Sequence, residues 1–398
     1  MRYSMMPEGV PFRLLLIGAS GVFGSRLAER LALEPDIALT LAGRRREPLE
    51  ELSRRIGRGA VRPMDRERAN ARDLAHYDLV IDAAGPFQES GAVLVEAAIA
   101  AGVDYLDLAD GRSWVVNFPG HYDDRARLAG VALITGASSI PALSHAVLDR
   151  LVAGWSTIES ISVGIFPGNR APRGLSVVEA ILSYAGRPLR QFRDGGWRDD
   201  RGWSRLDRMD AGPAGRRWAS ICDTPEQDLL VARYRPSKDA LFLAGMELAI
   251  LHLGLWLLSL LVRAGLVRSL RPWARPLLAI AQFLLPYGSD KGAMLVNAAG
   301  TGPDGRQVEA GWRLNAEANR GPYVPVLAAL ALVRRWRDGQ RPSAGAHICS
   351  GLLTLDDFAA DLQALGIQHG FLPRRQDLPI AAGKGVRCRH AFPAEPAP

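Results

Sequence analysis

The sequence predicts an α/β protein: a doubly wound parallel sheet, then a second α+β domain whose sheet is mostly antiparallel. Three observations predict it. Apolar runs alternate with helical patterns from Phe12 to about Ala137, as parallel strands joined by crossover helices do. The first run, Leu14-Leu15-Leu16-Ile17, breaks into glycines at three-residue spacing, Gly18, Gly21 and Gly24. Beyond Ile158 the periodicity weakens, and runs at 294–299 and 308–316 flank the turn Gly302-Pro303-Asp304-Gly305, a hairpin pattern.

The elements follow in order. A strand from Phe12 meets the glycine turn and an amphipathic helix carrying Leu27 and Leu31; a second strand spans 37–43, a helix 47–56 and a short strand 60–64. A fourth strand at 78–85 leads to a helix over 90–101, a strand from Asp104, a helix around 122–128 and a strand at 131–136. Ser138-Ser139-Ile140-Pro141 then introduces a helix over 142–151 that leaves this domain. The expected division is 1–150 for a dinucleotide-binding (Rossmann) domain and 151–345 for a substrate or dimerisation domain with apolar helices near 241–286. Residues 346–398 are expected to form a C-terminal helix, near 355–365, that packs back on the first domain, and a loose Pro/Ala-rich tail from Ala391.

The segment Gly18-Ala19-Ser20-Gly21-Val22-Phe23-Gly24 is written as a pyrophosphate cradle. Gly18 permits the turn, Gly21 lets backbone approach phosphate, and Gly24 lets helix and strand pack closely, with the phosphates on helix N–H groups. At the end of the second strand, where an acidic residue would hold a ribose 2′-OH, stand Arg44 and Arg45. Two guanidiniums there suit a 2′-phosphate, so the expected cofactor is NADP.

Composition narrows the partners. The formal net charge is +7, yet only three of the 49 basic residues are lysine, so the arginine excess reflects genomic base composition before function. The basic residues are scattered without aromatic interleaving, which excludes the usual nucleic-acid face. Cys222, Cys349 and Cys388 are far apart and predict neither a disulfide framework nor a metal site. No long apolar core follows Arg2, so a signal peptide is not expected and the location is cytoplasmic.

The passage Ala83-Ala84-Gly85-Pro86-Phe87, then Gly91, then Ala101-Gly102-Val103-Asp104-Tyr105-Leu106-Asp107 resembles the NADP-binding domain of the saccharopine dehydrogenase-like oxidoreductases. The resemblance covers about the first 150 residues. It implies that 18–24 hold the pyrophosphate, that Arg44 and Arg45 hold the 2′-phosphate, that Asp65 lies near the adenine, and that Ala84, Gly85, Pro86 and Phe87 line the path to the nicotinamide. After Asp107 the family often reads Thr-Gly-Glu, whereas this chain has Leu108-Ala109-Asp110-Gly111. The change falls at the expected active-site mouth, so an amino-acid substrate does not transfer with the fold. With its apolar segment, the chain is more similar to the lipid-linked, trans-acting enoyl reductase-like subset.

That segment, 241–262, has the length of a membrane helix, with Glu247 and His252 as its ionisable groups; Arg263, Arg268, Arg271, Arg275 and Trp273 follow, then a second apolar run at 277–285. Three readings stay open: a buried helix pair or homodimer surface, a peripheral segment resting on the inner face of a membrane, and a span. Re-entry into the antiparallel domain at Met294 disfavours the span. Tyr234 and Lys238 match the Tyr-x-x-x-Lys of short-chain dehydrogenases, with Ser220 upstream, but Pro236 between them disfavours the helical turn that pair needs.

Candidate proton donors are Tyr105, Asp107, Asp110 and Ser113, at the end of a sheet strand, although Asp107 equally suits a cap or an arginine partner. Candidate substrate contacts are Ser138, Ser139, Arg170 and Arg173; His145, without a partner in sequence, reads as structural. The expected activity is NADP(H)-dependent reduction of a small hydrophobic or lipid-like molecule. A saccharopine-type secondary-amine dehydrogenase and a non-catalytic, membrane-associated NADP-binding scaffold remain the alternatives.

Overall fold

A computed structural model describes residues 10–85, 92–373 and 375–376; the tail from Ala391 lies outside them. The chain divides into two compact units, Met1–His145 with Pro322–Phe358, and Ala146–Gly321 with Ala359–Pro398.

The first unit alternates strand and helix: β1 (Phe12–Ile17), α1 (Val22–Leu31), β2 (Ile37–Gly43), α2 (Arg46–Ile56), β3 (Ala60–Pro63), α3 (Ala71–Leu74), β4 (Leu79–Asp82), α4 (Val93–Ala101), β5 (Asp104–Asp107), α5 (Arg112–Ala129) and β6 (Ala132–Thr135), followed by α6 (Ser144–Leu151). All six strands pair in parallel, in the order β6-β5-β4-β1-β2-β3. Successive strands grow first to one side of β1 and then to the other, so the carboxyl edge beside β1 is the topological switch point at which such sheets bind ligands. The strands are apolar almost throughout because helices cover both faces: Leu14, Leu16, Val80, Ile81, Leu106 and Leu133 are fully buried.

Helix α5 is longer than its sequence pattern suggests, running from Arg112 with Pro119 inside it. Proline reads as a boundary in sequence. Burial of Val115, Phe118, Tyr122 and Ala126 along one side carries the helix through it.

The unit is completed by a return of the chain. Strand Gly345–Ile348 pairs in parallel with β6 as a seventh strand, preceded by helix Leu327–Arg337. Both lie in the unit of the parallel sheet, so 322–344 join it rather than the second domain expected for them. The cause is electrostatic as well as apolar. Buried Asp104, at the start of β5, accepts from Trp336 Nε1 (2.8 Å), Arg341 Nε (2.6 Å), Arg341 Nη2 (2.7 Å) and the Ala132 N–H (2.8 Å). Nothing near Asp104 in sequence names partners more than 200 residues away.

The second unit contains β7 (Thr157–Phe166), α7 (Leu175–Tyr184), β8 (Pro188–Arg193), β9 (Gly196–Arg201), β10 (Asp207–Asp210), β11 (Arg216–Ile221), α8 (Glu226–Tyr234), β12 (Asp239–Ala244), α9 (Ala249–Arg263), α10 (Ala274–Phe283), β13 (Gly292–Thr301) and β14 (Gln307–Ala316). Its sheet runs β10-β11-β12-β7-β13-β14 and ends on strand Gln368–Phe371, with the β8–β9 hairpin attached to β12. The sheet is mixed: β12 and β7 are parallel, the other pairs antiparallel. The expected hairpin is present as β13 and β14, in unbroken register from Gly292↔Ala316 to Thr301↔Gln307.

The apolar stretch 241–262 is not one element. Its first residues belong to β12, and the chain turns at Gly245, where an added Cβ would lie 1.9 Å from the Trp218 carbonyl oxygen. Glu247 fastens the turn, accepting from the N–H groups of Asn169 (2.6 Å) and Ser289 (2.9 Å) and from Ser289 Oγ (2.7 Å), with Arg217 beside it at 3.4 Å. Among the described residues no helix is long and apolar enough to cross a membrane, which removes the spanning reading.

His252 is fully buried on α9. Its Nδ1 accepts from the Met246 N–H (3.3 Å), which leaves Nε2 to donate to Ser220 Oγ (3.0 Å), while the Ser220 hydroxyl donates to the Arg205 carbonyl (2.7 Å). Burial pushes this imidazole down to about 4. An unfolded histidine protonates near 6.5, so lowering the pH from 6.5 to 4 adds protons to the unfolded state first. Urea unfolding is therefore expected to lose about 3 kcal/mol across that window, and His252→Gln to flatten this part of the pH dependence. Asp104→Ala, which strands a guanidinium and an indole N–H, is expected to destabilise by about 3–5 kcal/mol in thermal or urea unfolding.

Candidate functional site

The carboxyl ends of β1, β2, β4, β5 and β6 bring the sequence-predicted residues of the first unit to one edge of the sheet. The turn after β1 is built on close backbone approach. Gly18 has φ +76°, and a Cβ there would sit 2.7 Å from the Ala84 nitrogen; a Cβ on Gly24 would sit 2.1 Å from the Gly18 carbonyl oxygen. The Gly21 N–H closes the turn on the Gly18 carbonyl (2.9 Å), and the Ala19 N–H is held by the Ala42 carbonyl (3.1 Å). Gly21 then caps α1 with no side-chain acceptor, which leaves the first-turn amides of Val22, Phe23 and Gly24 without a side-chain cap, as a helix start that takes an anion requires. Ser20 and Gly21 are exposed beside them.

At the end of β2, Arg44 and Arg45 are both exposed, Arg45 capping α2. Asp65 is half-buried and caps a short turn through the Glu67 N–H (3.2 Å). Ala84 and Gly85 follow β4; Pro86 and Phe87 lie outside the described residues.

Behind this edge stand groups that the sequence reading missed. Arg66 donates to Asp82 Oδ2 (3.1 Å) and to the Ala84 carbonyl, and Asp82 Oδ1 in turn accepts from the Ala84 N–H (2.9 Å). The pair clamps 82–84 against the glycine turn. Burial pushes Asp82 up to about 6 against the pull of Arg66. The signal was an acidic residue ending the apolar strand Leu79-Val80-Ile81-Asp82.

Asp107 is fully buried and accepts five hydrogen bonds: Oδ1 from the Ala109 N–H (2.9 Å), Thr135 Oγ1 (2.8 Å) and the Gly136 N–H (2.9 Å), Oδ2 from Trp114 Nε1 (2.9 Å) and the Tyr105 hydroxyl (3.2 Å). Five donors fill the acceptor capacity of one carboxylate. Tyr105 is buried too, and burial with the nearby Asp107 charge pushes its phenol well above the ordinary range. Both side chains are held within the sheet edge by these bonds. Asp110 and Ser113 differ: both reach solvent, in the loop after β5 and in the first turn of α5. Desolvation and the Asp107 charge still raise the Asp110 carboxyl.

Ser138 and Ser139 follow β6, mostly buried. His145, fully buried, has Nδ1 2.7 Å from Ser350 Oγ. In the second unit, Arg170 donates to the Pro286 carbonyl (3.2 Å), and Arg173 to the Asn169 carbonyl (2.5 Å) and Oδ1 (3.1 Å). Arg173 thus braces its own loop, and Arg170 ties that loop to the segment that carries Pro286. The Tyr-x-x-x-Lys pair is likewise structural: Tyr234 donates to Asp149 (2.9 Å), and Lys238 pairs with Glu159.

A glycine turn, an uncapped helix start and two exposed arginines on a parallel sheet define a dinucleotide-binding protein. Residues 14–134 match the family model of the saccharopine dehydrogenase NADP binding domain, and that stretch is an NADP-binding domain of that type. A lipid droplet localized protein of Caenorhabditis elegans is 26% identical over 146 residues, 33% of this chain and 34% of that protein. A trans-acting enoyl reductase of Mycobacterium tuberculosis (strain ATCC 25618 / H37Rv) is 31% identical over 150 residues, 34% of this chain and 35% of that protein. The match thus spans about a third of either curated relative. Saccharopine dehydrogenase (L-Glu forming) from Saccharomyces cerevisiae shares the fold at a TM-score of 0.66 and 14% identity, over 92% of this chain and 100% of that one.

Proposed function

We propose that the protein is an NADP(H)-dependent oxidoreductase that reduces a hydrophobic or lipid-like molecule at the periphery of a membrane. The observation that carries the cofactor reading is the pairing of the uncapped α1 start with Arg44 and Arg45 at the neighbouring strand end. The first-turn amides of α1 would take the pyrophosphate, and the two guanidiniums the 2′-phosphate. Bound there, NADPH supplies a hydride.

The chain's own part is to hold the sheet edge rigid and to deliver a proton. Asp107 ties together the ends of β5, β6 and α5, so the loop carrying Asp110 has a fixed root. Asp110 is the proton donor in this reading, because it stands exposed just past the carboxyl end of β5. Ser113, one helical turn further, would orient the acceptor. Support for a lipid-like substrate comes from the relatives, one named an enoyl reductase and one for lipid droplets, and from the apolar outward side of α9. The amino-dicarboxylate reading has less support, since Arg173 is turned onto Asn169 within its own loop.

Calorimetry should show Arg44→Ala/Arg45→Ala weakening NADPH by about 100-fold, from the loss of two charge-assisted hydrogen bonds, with NADH little changed. Equal loss of both would overturn the 2′-phosphate assignment. Asp110→Asn is expected to lower kcat for NADPH oxidation with an enoyl thioester by about 100-fold or more while leaving NADPH affinity intact. NADPH binding without turnover of enoyl, ketone or imine substrates would instead indicate a scaffold.

A further inference from the structure

Helix α9 is built inside-out. Its polar side chains all turn inward: His252 and Ser259 are fully buried, and Arg263 donates to the Trp203 carbonyl (2.8 Å) and to Ser259 Oγ (3.0 Å). The opposite side, at 100° per residue, carries Ile250, Leu253, Leu257 and Leu261 and no polar side chain. Helix α10 also carries apolar side chains outward, although its buried side is alanine and its polar residues Arg275 and Gln282 are exposed. Ala274 and Ala281 are buried, while Trp273, Ile280 and Phe283 fall within an arc of about 80° on another side. Ile250, Leu257, Leu266, Ile280 and Phe283 are each more than half exposed. Scattered exposed leucines are ordinary; outward apolar stripes on two consecutive helices are not.

The charge within this segment is of one sign. Residues 248–289 contain Arg263, Arg268, Arg271 and Arg275 and no carboxylate. Arg268 and Arg275 are exposed, next to Trp273. Arg271, Arg275 and Ser269, together with Glu179 of α7, line a depression of about 470 Å³, so α7 supplies a single counter-charge at its rim. A second copy meeting this face about a two-fold axis would bring arginine toward arginine. An anionic lipid surface complements it at both levels, apolar stripe to acyl boundary and guanidinium to phosphate.

We propose that the outward sides of α9 and α10, with Arg268, Arg271 and Arg275, form a docking surface for anionic phospholipid. The proposal deepens the peripheral location given above and rests on it. Fifteen residues of α9 extend only about 22 Å, short of the roughly 30 Å hydrocarbon core, so the helix lies along the surface.

The test is flotation of the whole protein with vesicles of phosphatidylcholine, with and without about 30 mol% phosphatidylglycerol. Binding is expected to the anionic vesicles, to fall with salt, and to drop by at least about tenfold in Leu257→Ser/Phe283→Ser and in Arg268→Gln/Arg275→Gln. The arginine variant alters exposed side chains and keeps the test readable if the apolar variant does not fold. Absence of flotation by the wild type, or flotation unchanged in a folded variant, overturns the proposal. So does a dimer in sedimentation that Leu257→Ser/Phe283→Ser dissociates, since the face then belongs to a second copy. NADPH binding measured on the same samples separates failure of the surface from failure of the cofactor site.

Discussion

Everything at the sheet edge depends on one buried carboxylate. Asp107 ends β5, and its two oxygens hold the loop to Ala109, the hydroxyl and backbone at the end of β6, the indole of α5 and the phenol of Tyr105. A charge removed from water is stable only when donors surround it, and here the donors come from three elements. The constraint runs both ways: the elements solvate the charge, and the charge fixes where they end. Asp82 with Arg66 does the same one strand over, against the glycine turn. The candidate site is thus an edge of backbone and short side chains held from behind by two buried acids.

The second unit solves a different problem. Its apolar stretch carries two ionisable groups, each satisfied inward, Glu247 by backbone and hydroxyl donors and His252 by Ser220 and the Met246 N–H. Turning those groups inward leaves leucine and isoleucine outside. Burial of a few polar atoms has therefore decided which side of α9 meets the surroundings.

Much of the first unit was legible in sequence, because parallel strands buried on both faces are written as continuous apolar runs and the glycine turn has backbone requirements few other residues meet. Arg44 and Arg45 were legible for a related reason: they stand at a fixed distance from a recognisable strand. Asp107 was legible as a position at a strand end, whereas its five donors, drawn from β5, α5 and the end of β6, were not. Trp336 and Arg341, which close on Asp104, gave no sign at all. In the second unit β8 to β11 were missed because these short strands are rich in arginine and aspartate, and β12 was hidden inside a longer apolar run.

By itself the sequence determined the local matters: where the chain turns, which runs are strands of a parallel sheet, and that a dinucleotide with a 2′-phosphate is the ligand expected at its edge. These follow from steric limits on backbone and from charge type, which act over a few residues. The tertiary structure alone decided which carboxylates are buried and spoken for, that residues 322–358 complete the first unit, and that 241–262 is a strand and a helix rather than one long segment. Those outcomes depend on donors and acceptors brought together from distant parts of the chain, and no window of sequence contains both partners.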